Sequence, residues 1–375
     1  MKKLEKDNPD SKITSIICWD SGQYEERMRL SEAGVTAGII GKTYKQARRE
    51  KKLLWTEDEK LEHADMGRQL DILNEILQQT AIAQVKVDGE EADDVCASYV
   101  EKHKNDYDTI YIVTSDHDHY QLLDENVVVY DAIKRNLHTL DSFRGEYNIE
   151  PWQWVDACSF IGDTGDTIIG CTGFAIKTTM PYIVEHKTVD GVYKYFHELT
   201  DELRKQYPDV ELTDELVESM QEKYPKLKLE TSICSGIRIA LAERTLKKLP
   251  FPKVILNAIE QEDRVHLAYK LKKMRRHLEL LDIEERETDD CVLEDLFKEY
   301  NFFTLLKDVD YFLGKTFDKV KVNNAINSIV GNISDKKMYK CPHCNEDFMS
   351  SNELDKCPNC NESMKEREMV QPSLF

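Results

Sequence analysis

Short apolar runs that end on acidic residues recur through the first third of the chain, and that pattern limits the fold more than any other feature. Lys12–Asp20 (KITSIICWD) reads as a buried strand closing on an acid. Thr80–Glu90 (TAIAQVKVDGE) alternates apolar and polar residues before it meets a glycine. Asp108–Asp116 (DTIYIVTSD) is a strand ending on acids again, and Glu125–Asp131 (ENVVVYD) is a short fourth strand. Helical patterns lie between, notably LEHADMGRQLDILNEILQQ. Strand–helix–strand alternation at this spacing predicts an α/β fold with a mainly parallel sheet flanked by helices. Such sheets bind ligands beyond the carboxyl ends of their strands, and three groups of acids fall there.

From about Trp152 to Asp318 the pattern is helical, with leucine and aromatic spacings of three to four, as in HLAYKLKKMRRHLELL. Four acidic clusters then stand out. They are Asp20 in CWDSG, Glu91, Asp93 and Asp94 in GEEADDV, Asp116 and Asp118 in TSDHDHYQLL, and Asp163 and Asp166 in IGDTGDTIIG. Singly, each also fits a helix start, a solvated turn or a loop. Together, eight carboxylates at one sheet edge would repel strongly unless cations neutralised them. Oxygen-only ligation suits Mg²⁺ or Mn²⁺, and two such ions about 4 Å apart are a recurrent device for phosphodiester hydrolysis. The net charge of −20 argues against general affinity for nucleic acid. A local exception is GKTYKQARREKK, Gly41–Lys52, with six Lys/Arg and one Glu, which is either a solvated helix face or a place to meet a phosphate.

These motifs, in this order, resemble the 5′-nuclease superfamily, which includes phage 5′–3′ exonucleases, flap endonucleases and the 5′-nuclease domain of bacterial DNA polymerase I. The likeness covers residues 10–180 and runs more loosely to about 290. GEEADD resembles the family's G-x-E-A-D-D, SDHDHYQLL its G-D-x-D-x-x-Q-L, and GDTGDTIIGCTGFAIKT its G-D-x-x-D-N-I-P-G-x-x-G-x-G-x-K-T. The resemblance implies a PIN-like α/β domain, then a helical DNA-binding region. It implies metal-dependent 5′–3′ exonuclease and flap endonuclease activity near 5′ ends at single/double-strand junctions, in phage replication or repair. RNA primer removal, and so an RNA/DNA hybrid, falls within that activity.

The resemblance also assigns roles. Asp20, Glu91, Asp93, Asp94, Asp116, Asp118, Asp163 and Asp166 match the carboxylates that hold two Mg²⁺ or Mn²⁺ ions. YKQAR resembles Y-K-x-x-R at the foot of the family's helical arch, which would lie within residues 48–78. Lys45 and Arg48 would then orient the scissile phosphate, and Tyr44 would stack on a nucleotide near the 5′ end. Gly170 and Gly173 match a hairpin between helices that grips DNA through backbone N–H groups, with Lys177 at the next helix and K⁺ bound at the grip. The chain departs from the pattern at Ser115, His117, Thr167, Ile169 and Ala175. It also lacks the family's opening strand with its metal-binding Asp. The expectation is a gap in the sheet that a separate N-terminal segment would fill. The competing reading is a DNA-binding, clamp-associated replication adaptor with impaired catalysis.

Of ten cysteines, Cys18, Cys96, Cys158, Cys171, Cys234 and Cys291 are scattered singly, as in a reducing compartment. Cys341, Cys344, Cys357 and Cys360 form two CxxC pairs 12 residues apart, the spacing of a tetrahedral structural zinc site. The last residues, VQPSLF, resemble the Q-x-x-L-F peptide by which replication proteins of bacteria and phages dock on a sliding clamp, through Gln371, Leu374 and Phe375. MKKLEKDNPDSK has no apolar h-region, and no apolar run approaches about 18 residues, so the expectation is a cytoplasmic protein without a membrane span, in the host cytoplasm if phage-encoded. The expected organisation is an α/β catalytic domain over 1–155, a helical region with the DNA grip over 156–331, a linker over 332–340, a zinc ribbon over 341–361 and a tail over 362–375.

Overall fold

The computed structural model describes residues 11, 13–22, 24–80, 82–280 and 290–307, with three further strands at Lys337–Lys340, Asp347–Ser350 and Glu368–Met369. The four cysteines of the expected zinc site and the clamp-like peptide lie outside the described residues. The chain divides into a larger unit, Ser15–Met66 with Gln84–Ile283, and a smaller one, Met1–Thr14 with Gly67–Ala83 and Glu284–Phe375.

In chain order the larger unit opens with β1 (Ile16–Trp19), α1 (Glu25–Thr36) and α2 (Gln46–Leu53). Helix α3 (Glu57–Gln78) and strand β2 (Ala83–Lys86) follow, then α4 (Ala92–His103), β3 (Ile110–Val113), a 3-10 turn at His117–Leu122, β4 (Val127–Asp131) and β5 (Asn136–His138). All four strands read from the sequence are present. They form two pieces among the described residues: β1 beside β2, and β3–β4–β5, in which β3 pairs parallel to β4 and β5 pairs antiparallel. The strands read from the sequence as one mainly parallel sheet thus fall in two pieces among the described residues. The apolar runs explain the strands. Val127, Val128 and Val129 are buried on both faces of β4, as a strand covered on two sides requires.

Helices α5 (Leu140–Tyr147) and α6 (Trp154–Ile161) lead to a two-strand turn, β6 (Gly162–Asp163) with β7 (Ile168–Ile169). Then come α7 (Ile176–His186), α8 (Val189–Gln206), α9 (Asp214–Lys223), α10 (Ser235–Ala242), α11 (Val254–Glu260) and α12 (Glu262–Lys272). The core runs from the β3–β4 sheet into these helices around Phe143, Phe160, Tyr193, Phe196, Ile255 and Leu256. Helix α12 packs against α6 and α1. Its Leu267, Ala268 and Leu271 join Tyr44 and Ile168 in a second cluster. That packing carries the end of α12 to the acids.

In the smaller unit the later part of α3 packs through Ile76 on α13 (Asp290–Glu299) and α14 (Phe303–Lys307), with Leu293, Leu296, Phe297 and Leu306 buried. Tyr300 donates to Glu75 Oε2 at 2.9 Å. Strands β8 (Lys337–Lys340), β9 (Asp347–Ser350) and β10 (Glu368–Met369) form an antiparallel sheet in the order β10–β8–β9.

Candidate active site

The four acidic clusters come to the carboxyl ends of β1 and β3, the start of α4 and the β6–β7 turn, all within the larger unit. Asp20, just after β1, accepts from the Ala92 N–H at 2.8 Å and so ties β1 to the start of α4. Asp116 caps the 3-10 turn by accepting from the Asp118 N–H at 2.9 Å. Asp163 accepts from Gly165 N–H at 2.8 Å, which shapes the β6–β7 turn.

The basic segment docks on that same turn. Lys45 donates its N–H to Asp166 O at 2.7 Å, and Ala47 N–H donates to Thr167 Oγ1 at 3.1 Å. Arg48 Nε donates to Gly165 O at 2.8 Å, and its Nη2 pairs with Asp166 Oδ1 at 2.8 Å. The Arg48 side chain remains 58% exposed, open to a ligand. YKQAR and GDTGDT are thus two halves of one construction, 117 residues apart for the Arg48–Gly165 bond.

Two sides of the acid cluster differ in how their charge is met. Asp20, Asp93 and Asp116 make no ion pair with a Lys or Arg among the described residues. Loss of water, then the charges of Asp116, Glu91, Asp20 and Asp118, push the Asp93 carboxyl up to about 7. His119 is buried, with Nε2 3.5 Å from Asp93 Oδ1. Burial lowers its pKa, so it brings little charge near neutral pH.

The other carboxylates already have cations. Lys272, at the end of α12, places Nζ 2.5 Å from Asp118 Oδ2 and 3.0 Å from Asp163 Oδ2, with its side chain 5% exposed. Burial works against its charge, but Asp118 and Asp163 outweigh it and raise its pKa. Asp118 is itself pushed up to about 6, by burial in opposition to Lys272. Arg27, from α1, grips Asp94 through both Nη atoms and stands 2.5 Å from Glu91 Oε2. Lys45 Nζ bonds Glu91 as well and lies 4.1 Å over the Tyr24 ring.

Two assigned roles need correction. Tyr44 is 3% exposed, and its hydroxyl lies within hydrogen-bond distance of Glu91 and of Asp166 Oδ2 at 3.1 Å. A ring so enclosed offers no face for a base to stack on; Tyr44 positions the two acids. Asp94 is fully buried, bound by Arg27 and by the Arg275 N–H at 2.8 Å. Its oxygens are taken up in joining α1, α4 and the end of α12, which leaves it a structural anchor. Gly170 and Gly173 do shape the chain after β7. A Cβ on Gly170 would stand 2.4 Å from the Ile161 carbonyl, and Gly173 has φ +92°. Lys177 is exposed in the first turn of α7.

Lys272, Arg27, Arg275 and His119 were absent from the sequence reading. Arg27 and Lys272 sit in helices that carry charges of both signs, and Arg275 just beyond one, where a cation reads as surface. Only packing turns Arg27 and Lys272 inward. His119 lies inside a quoted motif, but its burial beside Asp93 has no local signal.

The donor set suits a hard cation on the Asp20–Asp93–Asp116 side: oxygen donors with excess negative charge. No three described His, Cys, Asp or Glu side chains already form a closed metal cage.

Residues 2–148 match the family described as 5′-3′ exonuclease, N-terminal resolvase-like domain. Over those residues the chain is similar to the 5′-nuclease superfamily. Similar proteins include a 5′-3′ exonuclease of Halalkalibacterium halodurans, 28% identical over 152 residues, 40% of this chain and 50% of that one. A DNA polymerase I of Caldicellulosiruptor bescii is 31% identical over 143 residues, 36% of this chain and 17% of the polymerase. The chain thus spans half or less of these relatives' lengths. Among solved structures, the T5 D15 protein co-crystallized with metal ions has a TM-score of 0.51 at 18% identity, covering 86% of this chain and 89% of that one. A T5 D15 flap endonuclease complex with DNA and metal ions also scores 0.51 at 18% identity, over 86% and 87% of the two chains. These likenesses establish a shared fold.

Proposed function

We propose that the chain is a Mg²⁺- or Mn²⁺-dependent 5′–3′ exonuclease and flap endonuclease that hydrolyses phosphodiester bonds near 5′ ends at single/double-strand junctions. The observation that carries this reading is the docking of Lys45–Arg48 on the Gly165–Thr167 turn, which sets an exposed guanidinium beside the carboxylate cluster. A phosphodiester needs both: cations to meet its oxygens, and carboxylates to hold a divalent ion.

A bound ion would be held by Asp20, Asp93 and Asp116 and would supply Lewis acidity. Arg48, anchored by Gly165 and Asp166, offers its free N–H groups to a non-bridging phosphate oxygen, where they favour developing negative charge. Lys45 neutralises Glu91, and Tyr44 bridges Glu91 to Asp166, which ties the turn to the start of α4. The exposed Gly173 turn and Lys177 fit a grip on the strand beyond the cut, with K⁺ as a further ligand of that grip. The zinc ribbon at Cys341–Cys360, the clamp peptide and a role in replication or repair, with DNA or an RNA/DNA hybrid as substrate, belong to the same reading.

A second reading, a DNA-binding adaptor of low activity, is favoured by Lys272, which already neutralises part of the cluster. Incubation of the whole chain with a 5′-flap duplex in Mg²⁺ separates the two. The nuclease reading expects 5′-phosphate products at the junction; binding without cleavage would support the adaptor.

A further inference from the structure

We propose that Lys272 is the resident cation of the Asp118–Asp163 side, so that this side takes up no tightly bound divalent ion and the chain works with a single ion on the Asp20–Asp93–Asp116 side. The inference rests on the metal-dependent reading above and deepens it.

The geometry is specific. The ammonium contacts one oxygen from each carboxylate, at 2.5 and 3.0 Å, and so spans the space that an ion bridging Asp118 and Asp163 would use. A Mg²⁺ on either of those oxygens would stand no more than about 5 Å from Nζ, given metal–oxygen bonds near 2.1 Å. Like charges at that separation weaken binding, and each carboxylate has already spent charge on the lysine.

Lys272 is also held in place. Gln121, itself buried, accepts from the Met274 N–H at 3.0 Å and donates to Lys272 O at 3.3 Å. Arg27 donates to Leu271 O at 2.9 Å, and the Arg275 N–H donates to Asp94 at 2.8 Å. Backbone on both sides of Lys272 is therefore bonded to buried side chains of the acid-bearing elements. The preceding turn of α12 is packed in a core cluster by Leu267, Ala268 and Leu271. A surface lysine drawn to nearby acids by chance would have none of this support. The asymmetry completes the argument: among the described residues, a buried lysine neutralises one side of the cluster and no Lys or Arg pairs with the other.

The test is a Mn²⁺ titration of the whole chain, followed by calorimetry and by the electron paramagnetic resonance of free Mn²⁺, for wild type, Lys272→Met and Asp116→Asn. The proposal expects Lys272→Met to bind one more Mn²⁺ than wild type, at least about tenfold tighter than any ion the wild type takes at that step. It expects Asp116→Asn to lose the wild-type ion. Equal stoichiometry and affinity in wild type and Lys272→Met, with the ion lost in Asp116→Asn, overturns the role of Lys272 and leaves the metal reading standing. Binding unchanged in all three overturns both. A second measurement on wild type alone covers the case of a poorly folded variant. Acetic anhydride labelling, mapped by mass spectrometry, should leave Lys272 protected from zero to saturating Mn²⁺. Its labelling on saturation would show the ammonium displaced and overturn the proposal.

Discussion

The two sides of the acid cluster are built from the same residue type and behave differently. On one side Asp20, Asp93 and Asp116 crowd together with no Lys or Arg paired to them among the described residues and the buried His119 near Asp93, and Asp93 is pushed up to about 7. On the other, Lys272 lies between Asp118 and Asp163, and the charge of that lysine, with its hydrogen bond, helps to hold Asp163 below the usual carboxylate range against the effect of burial. The lesson is that a row of acidic motifs does not by itself count metal ions. What counts them is which carboxylates the protein has left for an external cation.

That contrast can be broken in four ways. Asp116→Asn should lower Mg²⁺-dependent cleavage of a 5′-flap duplex by at least about 10³-fold, because it removes an ion-binding carboxylate. Asp163→Asn should cost about tenfold less if its side is held by Lys272; equal losses in single-turnover assays would erase the distinction. Arg27→Met should destabilise the fold by about 3–5 kcal/mol, read as a lower urea midpoint, because it takes the bidentate guanidinium from the fully buried Asp94. Arg48→Ala should reduce cleavage by roughly 10²-fold, while thermal stability changes little because the side chain is largely exposed.

The smallest effect is on pH. Asp93 titrates higher in the folded chain than its ordinary value of 3.8, so the folded state binds the extra proton. Its carboxylate therefore costs stability progressively as pH rises from about 4 through 7, and that cost is absent at low pH. Ion binding must expel the same proton, so Mn²⁺ affinity should fall up to about tenfold per pH unit below 7. Asp93→Asn should flatten both slopes. A wild-type chain whose ion affinity is level between pH 6 and 7 would contradict this.

Much of the fold was legible because apolar periodicity and terminal acids are local signals. β1, β2, β3 and β4 lie inside the four runs read as strands. The pairing of those strands was not local, and the split between β1–β2 and β3–β4–β5 emerges only from the assembled chain. The acids at the strand ends were likewise readable as a group. Their neutralisation was not, since Lys272 lies 109 residues beyond Asp163 and nothing in KLKKMRRH marks one lysine as buried. Tyr44 shows the same limit in reverse. The resemblance implied a ring open to stack on a nucleotide, whereas packing with Ile168 and Leu271 encloses it.

The central claim is that the acid cluster and the docked Lys45–Arg48 segment form a phosphodiesterase site. The most direct test is junction cleavage of a 5′-labelled flap duplex by the whole chain, with EDTA, and with Mg²⁺ restored. The account predicts release of the labelled 5′ fragment in Mg²⁺, none in EDTA, and recovery when the ion returns. Intact flap in all three, with the duplex still bound by the chain, would contradict it.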